Sequence, residues 1–318
     1  MLMTGHPINE PILGYAPGSE ERTALQTELD RQMEEVVEIP CVINGEAVFT
    51  GTTTTQVIPH KHGHVIAKVH LAGRDEMEAA CNAAVAAQRD WIDLGLEGRC
   101  AIFERCADLL AGDWRMRVNA STMLNQSKTA FQAEIDAACE LIDFWRFNCH
   151  YARGFHDDFQ PLVSPDGVQN STEIRPLEGF VLSITPFNFS SIAANLPSAP
   201  AIVGCTGVWK PSRNSYLSNY VLMQLMMEAG LPAGVINFLP GSGAEITEIA
   251  LANPDFAGLH FTGSTATFQG LWQEIGLALP NLKSYPRIVG ETGGKDFVVA
   301  HPDCDRQGLL VALLRGSF

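Results

Sequence analysis

Glu291 stands in Gly290-Glu291-Thr292-Gly293-Gly294-Lys295, a carboxylate among glycines near the end of a strand-like run. Glycines let another molecule approach the backbone closely. If partial burial raises its basicity toward the working pH, such a carboxylate can take a proton from water. The plainer reading is an ion-paired surface carboxylate. Three more loops carry complementary groups. Thr185-Pro186-Phe187-Asn188-Phe189 places an amide after an apolar run, where it can donate to a developing oxyanion, a contribution of about 3 to 4 kcal/mol. Taken alone, an Asn such as Asn188 more often serves as a turn or helix-cap residue. Lys210, pinned by Pro211 in Trp209-Lys210-Pro211-Ser212, offers a fixed ammonium to ribose hydroxyls or phosphate; alone it reads as a solvated lysine. Phe261-Thr262-Gly263-Ser264-Thr265 opens a helix whose free N–H groups and dipole suit a pyrophosphate, with Gly263 letting the phosphates come close. A plain cap explains Gly-Ser-Thr as well.

A base of this kind serves a nucleophile, and no cysteine in the sequence fits that role. Cys304 lies between Asp303 and Asp305, acids that disfavour thiolate, and Cys205 reads as core. The eight cysteines form no Cys-Xaa-Xaa-Cys pair and read as reduced thiols. His60, His62 and His64 alternate with no carboxylate or cysteine to complete a set, so no metal site is expected.

The elements that position these groups follow from pattern. With 318 residues, 46% hydrophobic and 18% charged, the chain has room for about two globular domains. A net charge of -15 without a basic run speaks against nucleic acid and for small-molecule ligands. The most apolar window, residues 192–209, carries Asn195, Ser198 and Thr206 with Pro197 and Pro200, so it reads as buried helix and strand rather than a membrane span. No charged segment followed by an apolar run opens the sequence, so the expected compartment is the cytoplasm, with the mitochondrial matrix as the alternative.

Residues 1–154 read as an N-terminal arm with short strands such as 41–44, followed by helices. The first of these starts in a capping-box pattern of Asp75 and Glu78, and others cover roughly 97–111, 114–127 and 131–153. In the last, Ile135, Ala138, Ile142 and Trp145 form one apolar stripe. Residues 155–178 read as an extended hairpin leaving the body and seeking a partner chain, or as a solvated loop. From 179 to 291 strands and helices alternate, which argues for a doubly covered, Rossmann-like parallel α/β sheet with ligands at the carboxyl ends of its strands. A further strand is expected near 296–300.

In this order and context the four loops resemble the aldehyde dehydrogenase superfamily over nearly the whole chain. Glu134, Asp136, Glu140, Phe144 and Trp145 within residues 133–148, Asn170-Ser171-Thr172, and Phe268 in Gly-Ser-Thr-Ala-Thr-Phe resemble its 1-pyrroline-5-carboxylate (glutamate semialdehyde) dehydrogenase branch. The resemblance implies NAD as cofactor, contacted by Thr185, Lys210, Gly263, Ser264, Thr265, Ala266 and Thr267. It implies Asn188 as oxyanion donor, Glu291 as base, and Glu140 with Phe189 beside the aldehyde. It makes 155–178 an oligomerisation hairpin and implies a homo-oligomer. Arg213 stands where many relatives have a ribose-binding glutamate, which loosens the preference for NAD over its 2'-phosphate. The nucleophilic cysteine is expected in a Gly-Gln-Xaa-Cys segment beyond Phe318. Residues 292–318 are then the start of a truncated catalytic domain, and the chain is expected to be an inactive fragment of an enzyme of proline degradation. Two alternatives stay open: a non-catalytic short form that binds nucleotide or forms mixed oligomers, and a dehydrogenase for another aldehyde.

Overall fold

The structure, a computed structural model, describes residues 6–158 and 163–317. An extended arm leads into α1 (Glu20–Glu34), capped by Ser19, whose Oγ accepts from the Arg22 N–H at 3.2 Å. Short strands β1 (Val37–Ile39), β2 (Cys41–Ile43) and β3 (Glu46–Val48) follow, then the hairpin β4 (Thr53–Ile58) and β5 (Lys61–His70). His62 and His64 lie on β5, the middle strand of a three-stranded sheet of order β1-β5-β4, and the β4–β5 register shifts around Val57. His60 meets the Ser127 hydroxyl at 2.8 Å and His64 the Met33 carbonyl at 2.8 Å. Among the described residues no group of three metal-ligating side chains assembles.

Five helical segments come next: α2 (Arg74–Asp93), α3 (Gly95–Ala111), α4 (Arg115–Gln126), α5 (Ala130–Ala133) and α6 (Glu140–Asp158), the last two joined by a π-turn over Glu134–Cys139. The start of α2 differs from the expected capping pattern. The backbone N–H of Gly73 donates to Glu76 at 2.8 Å, so the reciprocal acid is Glu76 rather than Glu78. The π-turn shifts the phase of the apolar stripe, leaving Ile135 half-buried while Ala138, Ile142 and Trp145 are buried.

The alternating part is β6 (Phe180–Ile184), α7 (Ser190–Ile202), β7 (Thr206–Lys210), α8 (Tyr216–Glu228), β8 (Ile236–Phe238), α9 (Gly243–Ala252), β9 (Phe256–Thr262), α10 (Thr265–Ala278), β10 (Arg287–Glu291) and, further on, α11 (Arg306–Ser317). Its sheet runs β10-β9-β6-β7-β8-β2-β3, with the first five strands parallel and β2 and β3 antiparallel. Phe180, Leu182 and Val208 pack toward Met77, Ala80 and Ile246 on one face, while Trp209 and Phe238 pack with Trp145 and Leu222 on the other. This alternation of faces is what a sheet covered on both sides requires. Cover fails at β10, where Val289 is 57% exposed.

Two expected elements differ. Residues 296–300 carry no strand, because no neighbouring strand of the described chain offers a ladder, and Phe297, Val298 and Val299 stand exposed. Residues 163–178 form no ladder either. They are mostly exposed, with a turn at 166–167 closed by the Val168 N–H on the Pro165 carbonyl at 3.0 Å and the Asn170 N–H on the Ser164 hydroxyl at 3.0 Å; residues 159–162 of the expected hairpin lie outside the described residues. A lone two-stranded hairpin has too little buried surface to hold itself.

Candidate active site

The parallel strands fix where the loops meet. Lys210 registers with Ile184, Ile184 with Phe261, and Phe261 with Gly290, while Glu291 pairs with Thr262. All four loops therefore leave one sheet edge. With strands about 4.8 Å apart, the first and last lie about 14 Å apart, the reach of a dinucleotide laid across the edge.

At one end, Lys210 is half-buried, and burial pulls its pKa below that of an ordinary lysine. No carboxylate pairs with it among the described residues. It lines a cleft of about 870 Å³ with Arg213, Tyr216, Gly241, Ser242 and Gly243. A Cβ added at Gly243 would lie 3.7 Å from Nζ, so the glycine keeps the space beside the ammonium open. A partly desolvated cation without a partner fits an anionic ligand. The loop Pro240-Gly241-Ser242-Gly243 went unread in the sequence, although glycines between a strand and a helix were its signal.

Thr185 is buried; its Oγ1 accepts from the Trp209 indole at 3.0 Å, and its N–H donates to the Lys210 carbonyl at 3.2 Å. The first loop is thereby tied to the second. Asn188 projects from this turn, exposed at the entry to α7.

At the other end, Ser264 caps α10 and accepts from the Thr267 N–H at 3.2 Å. The Gly263 N–H donates to the Glu291 carbonyl at 3.1 Å, which ties this loop to the end of β10. The missing side chain of Gly263 serves the Phe261 ring, which a Cβ would approach within 2.7 Å. The N–H groups of Thr265 and Ala266 remain for an anion, with the helix dipole behind them.

Glu291 is exposed, and the Thr262 hydroxyl donates to it at 3.4 Å. The expected partial burial is not supplied by the described residues, because β10 is an uncovered edge strand. Glu140 is the half-buried carboxylate of the site. It accepts from the Ser191 hydroxyl at 2.5 Å, and burial raises its pKa; the Ser191 bond opposes that, while Asp136 and Glu291 add to it. The last of these brings Glu140 and Glu291 into one electrostatic neighbourhood. Phe189, half-buried at the cap of α7, receives the Lys128 ammonium 4.0 Å from its ring centroid. Lys128 and Ser191 were not foreseen, since a lysine after a helix and a serine within one carry no signal of their own.

No thiol of this edge is a ready nucleophile. Seven cysteines are buried, and burial pushes Cys41, Cys81 and Cys139 up to about 12. Cys304 lies in the stretch past β10.

Comparisons with known proteins show the family. The aldehyde dehydrogenase family profile matches residues 49–318. The chain is 45% identical to the delta-1-pyrroline-5-carboxylate dehydrogenase of Agaricus bisporus over 311 residues, covering 98% of this chain and 57% of that protein. It is 41% identical to the human mitochondrial protein of that name, covering 98% and 55%. The crystal structure of the Mycobacterium tuberculosis delta-pyrroline-5-carboxylate dehydrogenase bound with NAD superposes with a TM-score of 0.96 at 51% identity, covering 98% of this chain and 58% of that one. The chain thus spans somewhat more than half the length of each relative.

Proposed function

The chain belongs to the aldehyde dehydrogenase family, and from that premise we propose that it serves NAD-dependent oxidation of L-glutamate γ-semialdehyde to L-glutamate in proline degradation. The observation that carries the reading is the convergence of Lys210, Asn188, the α10 N-terminus and Glu291 at one sheet edge beside Glu140 and Phe189.

The cofactor fits on two counts: Lys210 is a partly desolvated ammonium without a partner, and the first turn of α10 keeps free N–H groups. NAD, when bound, supplies the hydride acceptor. Lys210 holds its ribose end, and Thr265 and Ala266 hold phosphate through their backbone. Arg213, exposed at the cleft mouth, adds positive charge there. The Asn188 amide donates to the oxyanion formed when a thiolate attacks the aldehyde. Glu291 takes a proton from the water that releases the acid. Glu140 and Phe189 border the aldehyde. The thiolate is supplied by none of the buried cysteines.

The mostly exposed stretch 163–178 adds as a strand to a second copy in a homo-oligomer. Among the described residues no helix is long and apolar enough to cross a membrane. Seven buried, unpaired thiols favour a reducing compartment, cytoplasm or mitochondrial matrix.

The test joins Phe318 to the residues of the M. tuberculosis relative that follow its matched region. The fusion should form NADH from glutamate semialdehyde in preference to benzaldehyde, and Glu291→Gln should limit it to a single turnover. Equal rates with both aldehydes would overturn the substrate assignment.

A further inference from the structure

Three elements meet behind the Phe189 ring. The turn after α4 carries Lys128, whose Nζ lies 4.0 Å from the ring centroid. The π-turn carries Asp136, which pairs with that ammonium. The helix α7 carries Ser191, whose hydroxyl holds Glu140 at 2.5 Å. The Lys128 side chain is 12% exposed and that of Asp136 21%, so the pair is mostly shielded from solvent and only weakly screened by salt. The turn itself is built for the purpose. Ser127 takes a left-handed backbone with φ 57°, uncommon for a non-glycine, and turns the chain toward α7. The Gln126 amide then donates to Ser190 at 2.8 Å, clamping the turn against the residue next to Phe189.

We propose that Lys128 is the positioning residue of the aldehyde-facing wall, holding the Phe189 ring and, through Asp136, the Glu140 carboxyl in one arrangement. This rests on the reading of Glu140 and Phe189 as substrate contacts. An ammonium on one ring face leaves the other free, and its bond to Asp136 stops that carboxylate from acting unopposed on Glu140. The groups acting on Glu140 come from every side. Asp136 of the π-turn and Glu291 of β10 raise its pKa; Lys128 and the Ser191 hydroxyl lower it. Glu10 and Asp143 line a groove together with Glu140.

The experiment uses the 318-residue chain with 4-fluorophenylalanine at position 189 and 13C-carboxyl glutamate, the Glu140 signal being the one lost in Glu140→Gln. In Lys128→Met the fluorine resonance should shift and broaden and the Glu140 titration midpoint should rise. In Asp136→Asn the midpoint should fall, and Lys128→Arg should preserve both signals. An unmoved fluorine resonance and midpoint in Lys128→Met, or midpoints that move in the same direction in Lys128→Met and Asp136→Asn, would overturn the proposal. Asp136→Asn is near-isosteric, so it keeps the test open if Lys128→Met unfolds. A fusion enzyme that ignores glutamate semialdehyde while these signals behave as expected refutes the substrate reading and leaves the role of Lys128 standing.

Discussion

The ring of Phe268 covers the Cα of Gly290 so closely that a Cβ there would lie 2.2 Å from it. Phe268 also stacks on Phe261, with centroids 5.6 Å apart and planes at 21°. The Phe268 ring therefore demands a glycine at the position before Glu291. Gly290→Ala should cost about 1–3 kcal/mol through overpacking, and a Gly290→Ala/Phe268→Ala double variant should lose less than the sum of the singles. Urea unfolding of the four proteins measures this, and additive losses would contradict the contact.

Glu134 is fully buried in the π-turn, where it accepts from Tyr15 at 2.6 Å, the Leu13 N–H at 2.8 Å and Asn119 at 2.8 Å, and pairs with Arg115 at 2.5 Å. Burial alone would raise its pKa, but these donors hold it below the usual glutamate range. A lowered folded pKa gives stability that is present above the unfolded value and lost as pH falls through the folded one. Glu134→Gln should cost about 3–5 kcal/mol at neutral pH and flatten the acid limb of a stability-pH curve. An unchanged acid limb would refute the assignment.

The alternating half of the fold was legible because its signals are local. Apolar runs of strand length, broken by Gly, Pro or Ser, marked the alternation between residues 179 and 291 that β6 through β10 occupy. What escaped depends on distant partners. The π-turn is held by Leu13 and Tyr15 from far along the chain, and β5 exists because β1 and β4 flank it. The strand expected near 296–300 failed for want of a neighbour. Asn188, Lys210 and Glu291 were legible as loop residues at strand ends, whereas Lys128 acquires its place only through packing on Phe189.

Lys210 should make cofactor affinity pH-dependent. Its folded pKa is lowered, so the free chain gains stability as pH rises from that value toward an ordinary lysine's. NAD favours the protonated form, and its affinity should fall over the same window. Lys210→Arg should remove the dependence, and Lys210→Met should weaken binding about ten- to hundredfold. Calorimetry across pH 7 to 10 checks this; a flat profile in the unaltered chain would oppose it.

With seven of its eight thiols buried and Cys304 half-buried past β10, the 318-residue chain by itself should form no NADH from glutamate semialdehyde. Stopped-flow absorbance would detect even a single turnover. Aldehyde-dependent NADH would show that one of these cysteines reaches the cleft.

Amide NMR during NAD titration reads whether one sheet edge holds a dinucleotide from Lys210 to Glu291. Saturable shifts are expected at Lys210 and Gly243 together with Thr265, Ala266 and Glu291 at the far end. Shifts confined to one end, or centred elsewhere on the protein, would contradict it.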